Sequence, residues 1–147
     1  MAVSAKTREA VRKRARGLCE YCHADEHWQF VKFTIDHIIP QSKEKNNSIE
    51  NLALACRNCN ERRSNLVESA DPDSGEIVLI FNPRADLWND HFMWTDDGVL
   101  IVGTTSTGRA TVELLDLNDA RHEKRCIRTR SRDIEDGFHP PSDDRKK

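Results

Sequence analysis

The first half of the chain alternates short polar and apolar segments, and each segment predicts one small element. Residues 7–16 are mostly polar and basic and predict a helix, which Gly17 ends by supplying a left-handed residue. Residues 27–38 are rich in β-branched and aromatic side chains and predict a strand that ends near Asp36. The polar loop PQSKEKNNS follows, and a helix is expected from about Arg57 to Glu68.

The second half of the chain predicts a β-hairpin followed by helix. Residues 76–94 contain a short strand and an aromatic segment, and residues 96–108 contain a turn and a second strand. Residues 109–137 are largely helical in pattern, with Asn118 as a candidate N-cap and Gly137 as the stop. The aromatic residues of this half are more typical of a core than of a platform on which bases stack.

Length and composition are those of one small domain with an appendage. The chain has 147 residues, of which 37% are hydrophobic and 33% charged, so its core is expected to be modest and a bound metal would help to stabilise it. No apolar run approaches the roughly 18 residues of a membrane span, and the N-terminus lacks an apolar signal segment. A soluble, cytoplasmic protein is therefore expected. The predicted organisation is a core at 1–70, an extension packed on it at 71–136, and a disordered tail at 137–147.

Charge is distributed unevenly along the chain. The net charge of −2 taken alone argues against a nucleic-acid-binding protein, but residues 1–70 carry +3 and residues 71–147 carry −5. The basic N-terminal stretch can be either the solvated face of a helix or a contact surface for phosphates. The candidate phosphate contacts in this stretch are Arg12, Arg14 and Arg16.

The cysteine pattern predicts a structural zinc. Four of the five cysteines form two Cys-x-x-Cys pairs, Cys19/Cys22 and Cys56/Cys59. Each pair delivers two thiolates from one turn, and two pairs complete a tetrahedral zinc shell. The 33 residues between the pairs exceed the usual spacing of roughly 15–20, so a further segment is inserted there. His23 could replace one ligand, and Cys126 is expected to be an ordinary thiol.

The inserted segment contains an acid directly followed by a histidine, Asp36–His37. Asp36 closes the strand and His37 opens the loop, so their side chains point in opposite directions. A carboxylate can hold a hard divalent cation, and a neutral imidazole can accept a proton from water at neutral pH. The pair alone is more typical of a surface or structural position than of an active site. Asn60 changes this interpretation, because it follows Cys59 in a helix pinned by zinc and would face Asp36.

These motifs resemble the HNH endonucleases of the ββα-metal finger type, in the zinc-bound branch written C-x-x-C…DH…N…C-x-x-C-N. The resemblance covers about a third of the chain and rests on the segments EYCH, IDHIIPQS, SIENLALAC and RNCNERRSN. It implies that His37 is the general base and that Asp36 and Asn60 hold a catalytic Mg²⁺ or Mn²⁺. It also implies that Asn51 is the central asparagine, whose amide bonds the loop backbone and orients His37. From the residues alone, Asn51 could equally be a helix cap or a turn residue.

The resemblance implies an α+β fold: a ββα-metal finger with a structural zinc, an N-terminal basic helix and a C-terminal hairpin and helix. The implied function is a metal-dependent endonuclease that hydrolyses DNA phosphodiester bonds and leaves 5′-phosphate ends. Further side chains that are either phosphate contacts or solvated charges are Lys43, Lys45, Arg57, Arg62 and Arg63. Two alternatives remain: a zinc-knuckle module that binds nucleic acid or a protein without cutting, and an HNH nuclease that acts on RNA.

The C-terminal half resembles, more loosely, an extension found in a group of bacterial HNH proteins. The segments that carry this resemblance are FNPRADLWNDHFMW and TGRATVELLDLN. Its composition assigns it no chemistry of its own.

Overall fold

The computed structural model describes residues 3–28, 32–119 and 125–144, and the chain divides into two compact units. Unit 1 comprises Met1–Val67 and Asn82–Asp86, and unit 2 comprises Glu68–Phe81 and Leu87–Lys147. Within the described residues, no helix combines the length and the apolar character needed to cross a membrane.

The N-terminal helix of unit 1, α1, spans Ala5–Ala15. Ser4 caps it, because the hydroxyl oxygen accepts a hydrogen bond from the Thr7 amide at 3.2 Å. Arg16 at φ 57° and Gly17 at φ 72° end the helix in the left-handed region. The helix therefore begins slightly earlier than predicted and ends where Gly17 predicted, with Arg16 sharing the left-handed turn.

A two-stranded antiparallel sheet and a short helix form the centre of unit 1. Strand β1 (Thr34–His37) pairs with β2 (Leu52–Ala55), and β2 is buried along its whole length. Cys56 caps helix α2 (Arg57–Arg63), with its sulfur accepting a hydrogen bond from the Cys59 amide at 3.5 Å. The order strand, strand, helix confirms the predicted α+β class and its ββα centre.

Two boundaries in unit 1 differ from the prediction. The strand predicted for residues 27–38 is limited to β1, and residues 29–31 lie outside the described residues. Helix α2 stops at Arg63 and does not reach Glu68, because Ser64 adopts φ 51° and ψ −122°, which no helix can continue. The residues expected to form the last helical turns lead instead into a strand of unit 2.

Unit 2 contains two antiparallel hairpins and three α-helices within the described residues. The first hairpin pairs β3 with β4, and the second pairs β5 with β6. The core of this unit includes Trp88, Phe92 and Trp94, which are all buried, in agreement with the predicted core role of the aromatic segment. The elements are β3 (Glu68–Ala70), β4 (Ile77–Leu79), α3 (Trp88–His91), β5 (Phe92–Trp94), β6 (Ile101–Gly103), α4 (Ser106–Leu115) and α5 (Arg125–Glu135).

Helix α4 lies very close to β6 and to the end of α3, and this approach depends on glycine. A Cβ atom at Gly108 would lie 2.0 Å from the His91 carbonyl oxygen, and one at Gly103 would lie 2.4 Å from the Arg109 amide. The same helix is tied to the β3–β4 turn, since Arg109 donates two hydrogen bonds to the buried Asp71 carboxylate at 3.0 and 2.8 Å.

Residues 109–137, predicted to be largely helical, contribute to two separate helices within the described residues. Helix α4 ends at Leu115 and α5 begins at Arg125, while residues 120–124 lie outside the described residues. Asn118 is not a helix cap, because its amide bonds both backbone groups of Ile101, at 2.8 and 2.9 Å. Gly137 follows the end of α5 with φ 83°, as expected of a stop.

The tail predicted to be disordered is folded as far as residue 144. His139 is buried, with Nε2 3.0 Å from the Gly98 carbonyl oxygen, and Trp94 Nε1 donates to Asp144 at 3.0 Å. The edge-to-face contact between the Trp94 and His139 rings and these hydrogen bonds outweigh the polar composition on which the prediction was based. Residues 145–147 lie outside the described residues, as does the side chain of Cys126.

Candidate active site and zinc centre

The four paired cysteines converge on one point in unit 1. Their sulfur atoms all lie within 4.8 Å of one another, all four residues are buried, and the Cys22 and Cys56 sulfurs are 3.7 Å apart. Tetrahedral zinc with Zn–S bonds of about 2.3 Å requires sulfurs separated by about 3.8 Å. The donor set, the burial and the spacing therefore fit a structural zinc. His23 does not belong to this cluster within the described residues.

The thiols perturb one another in a way that favours a bound cation. Burial raises the pKa of Cys19, but hydrogen bonds from the other three thiols bring it well below its ordinary value. Hydrogen bonds to Cys19 and Cys22 are the main cause that raises the pKa of Cys56 and of Cys59 well above the ordinary value. A cation bound among the sulfurs would favour the thiolate forms, because metal ligands must be deprotonated.

Asp36 is 6% exposed and lies in a buried polar network. Its Oδ2 accepts hydrogen bonds from the Tyr21 hydroxyl at 2.9 Å and from Arg63 Nη1. Burial raises the pKa of Asp36 although Arg63 and Tyr21 oppose that effect, and burial together with the Asp36 charge raises the pKa of Tyr21. Tyr21 therefore stays protonated and donates to the carboxylate.

Two side-chain oxygens of the predicted site are of the type that a hard divalent ion binds. Within the described residues, both hydrogen bonds to the Asp36 carboxylate end on Oδ2, so Oδ1 is left for another ligand. The Asn60 side chain, in the first part of α2, likewise makes no hydrogen bond to the described residues. Carboxylate and amide oxygens are the ligands that Mg²⁺ and Mn²⁺ accept in proteins, so these side chains fit a catalytic ion.

His37 is half-buried at the end of β1, and its ring is held through one nitrogen. Nε2 lies 2.8 Å from the Asn47 side-chain oxygen and 3.3 Å from the Gln41 side-chain nitrogen. Both partners belong to the polar loop between β1 and β2. The loop therefore fixes the imidazole in place through Nε2. The other ring nitrogen, Nδ1, takes no part in these two contacts.

Asn51 is 4% exposed and closes this loop from inside. Its Oδ1 accepts from the Ile39 amide at 2.8 Å, and its Nδ2 donates to the carbonyl oxygens of Ile39 at 3.2 Å and Asn46 at 2.9 Å. All three bonds go to the loop backbone, which is the geometry that a positioning role would require. The alternative role as a helix cap has no support here, because Asn51 ends a 3₁₀ turn and its side chain crosses the loop.

Arg63, predicted to contact phosphate, is instead 2% exposed. Besides Asp36, its guanidinium donates to the carbonyl oxygens of His37 at 2.9 Å and of Ile38. The prediction for Arg63 is wrong, because a buried guanidinium that bonds three internal acceptors cannot reach a nucleic-acid backbone. Arg63 lies between α2 and the end of β1, where it contacts Asp36 and the backbone of His37.

The remaining basic residues either bond the backbone of unit 1 or lie wholly or partly at the surface. Arg12 and Arg14 bond backbone carbonyls inside unit 1, at 3.0 Å to Phe33 for Arg12 and at 2.8 Å to Ile49 for Arg14, a structural role that the sequence did not reveal. Arg57 is exposed but forms an ion pair with Glu61 at 2.8 Å. The other candidates are exposed or half-exposed: Arg16, Lys43, Lys45 and Arg62.

Sequence reasoning missed three polar residues that contact the predicted site. Tyr21 lies within the first cysteine pair, and its residue type gave no sign of a bond to Asp36. Asn47 and Gln41 belong to a loop in which almost every residue is polar, so no signal distinguished them from ordinary solvated side chains.

Comparison with known protein families matches residues 19–66 to the family described as HNH endonuclease. Searches of curated proteins and of solved structures returned no significant match. The matched segment begins at the first zinc-site cysteine and contains Asp36, His37, Asn51 and Asn60. It therefore includes every residue of the candidate site, and it confirms the resemblance seen in the sequence. Residues 19–66, about a third of the chain, match the HNH endonuclease family, and the four cysteines fit the zinc-bound variant of that family.

Proposed function

We propose that the chain is a metal-dependent endonuclease that hydrolyses phosphodiester bonds in DNA. The observation that carries this proposal is the arrangement at the end of β1, inside the matched domain. A histidine held by its loop directly follows a buried carboxylate that keeps one oxygen available, and Asn60 offers a second oxygen. A protein that only binds nucleic acid has no need of this combination.

His37 acts as the general base in this proposal. Neighbouring side chains of a strand point to opposite faces, so Asp36 faces the interior while His37 turns away from it and keeps a nitrogen for water. A neutral imidazole can accept a proton from water near neutral pH. General base catalysis of this kind contributes typically about 10²–10⁴-fold to the rate.

Asp36 and Asn60 would hold the catalytic divalent ion. When bound there, Mg²⁺ or Mn²⁺ supplies Lewis acidity at the scissile phosphate and stabilises charge on the leaving 3′ oxygen. Asp36 contributes the charged oxygen ligand, and Tyr21 and Arg63 fix the direction of its carboxylate by holding Oδ2. The expected products carry a 5′-phosphate and a 3′-hydroxyl.

The cysteine cluster supports Asn60 mechanically. Cys56 is the N-cap of α2, and Cys59 lies in the first turn directly before Asn60. If both sulfurs are bound to zinc, this turn is fixed from two sides. The proposed structural zinc therefore positions the amide and takes no part in the chemistry.

The proposed contacts to DNA are ionic and sequence-independent. Lys43 and Lys45 are exposed on the same loop that holds His37, and Arg16 is exposed after α1. Arg57 and Arg62 on α2 add charge on the helix that carries Asn60. These cations would bind the phosphate backbone, which positions a nucleic acid without reading its bases.

The proposal is tested with the full-length, zinc-loaded protein on plasmid DNA and on a structured RNA, each with Mg²⁺, Mn²⁺ or EDTA. Three results together would support the proposal. DNA is cleaved only with the added ion, cleavage is lost in His37→Ala, and cleavage is unchanged in the exposed control Asn65→Ala. Cleavage of RNA alone would show that the substrate assignment is wrong. Binding of DNA without cleavage under every condition would identify a zinc-knuckle binding module and overturn the enzymatic proposal.

A further inference from the structure

Asn47 and Gln41 both reach the same nitrogen of His37, and their demands on it are incompatible. The Asn47 oxygen, 2.8 Å away, can only accept a hydrogen bond, which requires a proton on Nε2. The Gln41 amide nitrogen, 3.3 Å away, can only donate, which requires a lone pair on Nε2. The contact with Asn47 has the length of an ordinary hydrogen bond, whereas the contact with Gln41 is at the long limit. The shorter contact selects the proton on Nε2.

We propose that Asn47 is the positioning residue that holds His37 as the Nε2–H tautomer and so makes Nδ1 the atom that accepts the proton from water. A neutral imidazole carries one proton, so a proton fixed on Nε2 leaves the lone pair on Nδ1. The catalytic part of this inference rests on the proposed role of His37 as base. The tautomer itself is a property of the folded chain and can be measured without any substrate.

The loop is built in a way that presents Asn47 to the ring. Asn46, the preceding residue, is fixed twice: its carbonyl accepts from Asn51 at 2.9 Å, and its side-chain oxygen accepts from the Ser48 amide at 2.9 Å. Asn47 thus stands between two anchored residues, in a half-buried position. Within the described residues Asn51 makes no hydrogen bond to the His37 ring, but it anchors Asn46, the residue next to Asn47, and can act on the ring through that residue.

Two substitutions separate the hydrogen bond from the shape of the side chain. Asn47→Asp keeps an acceptor oxygen of the same size, while Asn47→Leu keeps similar volume and removes the acceptor. Losing one oriented hydrogen bond to the base should lower kcat roughly ten-fold for Asn47→Leu, with KM little changed, because the DNA contacts are untouched. Asn47→Asp should retain most of kcat.

The direct measurement is ¹⁵N NMR of the histidine rings in full-length, zinc-loaded protein, with His37→Ala to assign the signals. At a pH where His37 is neutral, the wild type should show a protonated Nε2 and an unprotonated Nδ1. Asn47→Asp should keep this pattern. Asn47→Leu should shift the proton toward Nδ1, because the Gln41 amide nitrogen then donates to Nε2 without competition, while zinc content and melting temperature stay close to wild type. Gln41→Ala should leave the tautomer unchanged.

A wild-type spectrum with the proton on Nδ1 would overturn the inference, as would loss of the pattern in Gln41→Ala but not in Asn47→Leu. Failure of the proposed function looks different. In that case the protein would show the Nε2–H tautomer, dependent on Asn47, and yet cleave no nucleic acid with any divalent ion.

Discussion

Replacing Arg63 by Met should destabilise the protein strongly, although the residue belongs to a basic cluster that looks like a nucleic-acid surface. The guanidinium is 2% exposed and donates to Asp36, His37 and Ile38. Methionine fills part of the volume but leaves a buried carboxylate without its counter-charge and two backbone carbonyls without their donor. Breaking a buried ion pair from one side costs about 3–5 kcal/mol.

This free energy corresponds to a large thermal shift. In a chain of this size 1 kcal/mol changes Tm by about 2–4 °C, so Arg63→Met should melt roughly 10 °C below wild type. Arg57→Met is a matched control on the same helix, because the Arg57–Glu61 pair has side chains that are 65% and 60% exposed. Such an exposed pair contributes very little to stability, so its loss should scarcely move Tm.

The assay is differential scanning calorimetry of both variants with zinc held constant, followed by DNA binding at fixed ionic strength. We expect a large fall in Tm for Arg63→Met and almost none for Arg57→Met. If Arg63→Met melted like wild type but bound DNA more weakly, the internal role assigned to Arg63 would be refuted, and the residue would have to be a phosphate contact.

Three further predictions concern other parts of the molecule. Cys56→Ser should lose bound zinc and lower Tm while Cys126→Ser should keep both, and folded protein without zinc by elemental analysis would contradict the zinc assignment. Neutralising Lys43 and Lys45 should reduce the slope of log affinity for DNA against log salt concentration by about 0.9 for each lost phosphate contact. An unchanged slope would show that both lysines are solvated charges that do not contact DNA. Hydrogen bonds from Arg109 lower the pKa of Asp71, so this carboxylate stabilises the fold above its unfolded pKa of about 3.9 and the stabilisation is lost as pH falls through the lower folded value. Arg109→Gln should therefore unfold at a higher pH during acid titration followed by tryptophan fluorescence, and an unchanged midpoint would contradict this assignment.

The zinc centre and the ββα centre could be predicted from the sequence because their determinants are local. A Cys-x-x-Cys turn places two sulfurs by its own geometry, and the second pair adjoins the helix that Cys56 caps. The alternation of β-branched residues and the polar loop then mark the strand and its end. The order of these elements needs no knowledge of distant contacts.

Arg63 and Asn118 show why other features could not be predicted. Whether an arginine is buried depends on a partner far away in sequence, here Asp36, and nothing in the letters around Arg63 distinguishes it from the exposed Arg57. Asn118 has the residue type of a helix cap, yet it bonds the backbone of Ile101 in a neighbouring strand. Tertiary contacts override local preference at both positions.

The predicted end of α2 and the predicted disorder of the tail differ from the structure for a related reason. Ser64 is neither glycine nor proline, so its residue type gave no sign of the positive φ that ends the helix. The polar composition after residue 137 hides His139, whose burial against Trp94 fixes the segment. A single aromatic contact of this kind cannot be seen in average composition.

Plasmid cleavage by two variants across a Mn²⁺ titration separates the proposed proton acceptor, His37, from Asp36 and Asn60, the proposed ligands of the catalytic ion. His37→Ala should keep zinc, fold and DNA affinity but lose about 10²–10⁴-fold in cleavage rate, and added Mn²⁺ should not restore it because the missing group is the proton acceptor. Asn60→Ala should lose ion affinity first, so high Mn²⁺ should recover part of its rate. If Mn²⁺ restored His37→Ala as well as Asn60→Ala, the account would be contradicted and His37 would have to be a metal ligand.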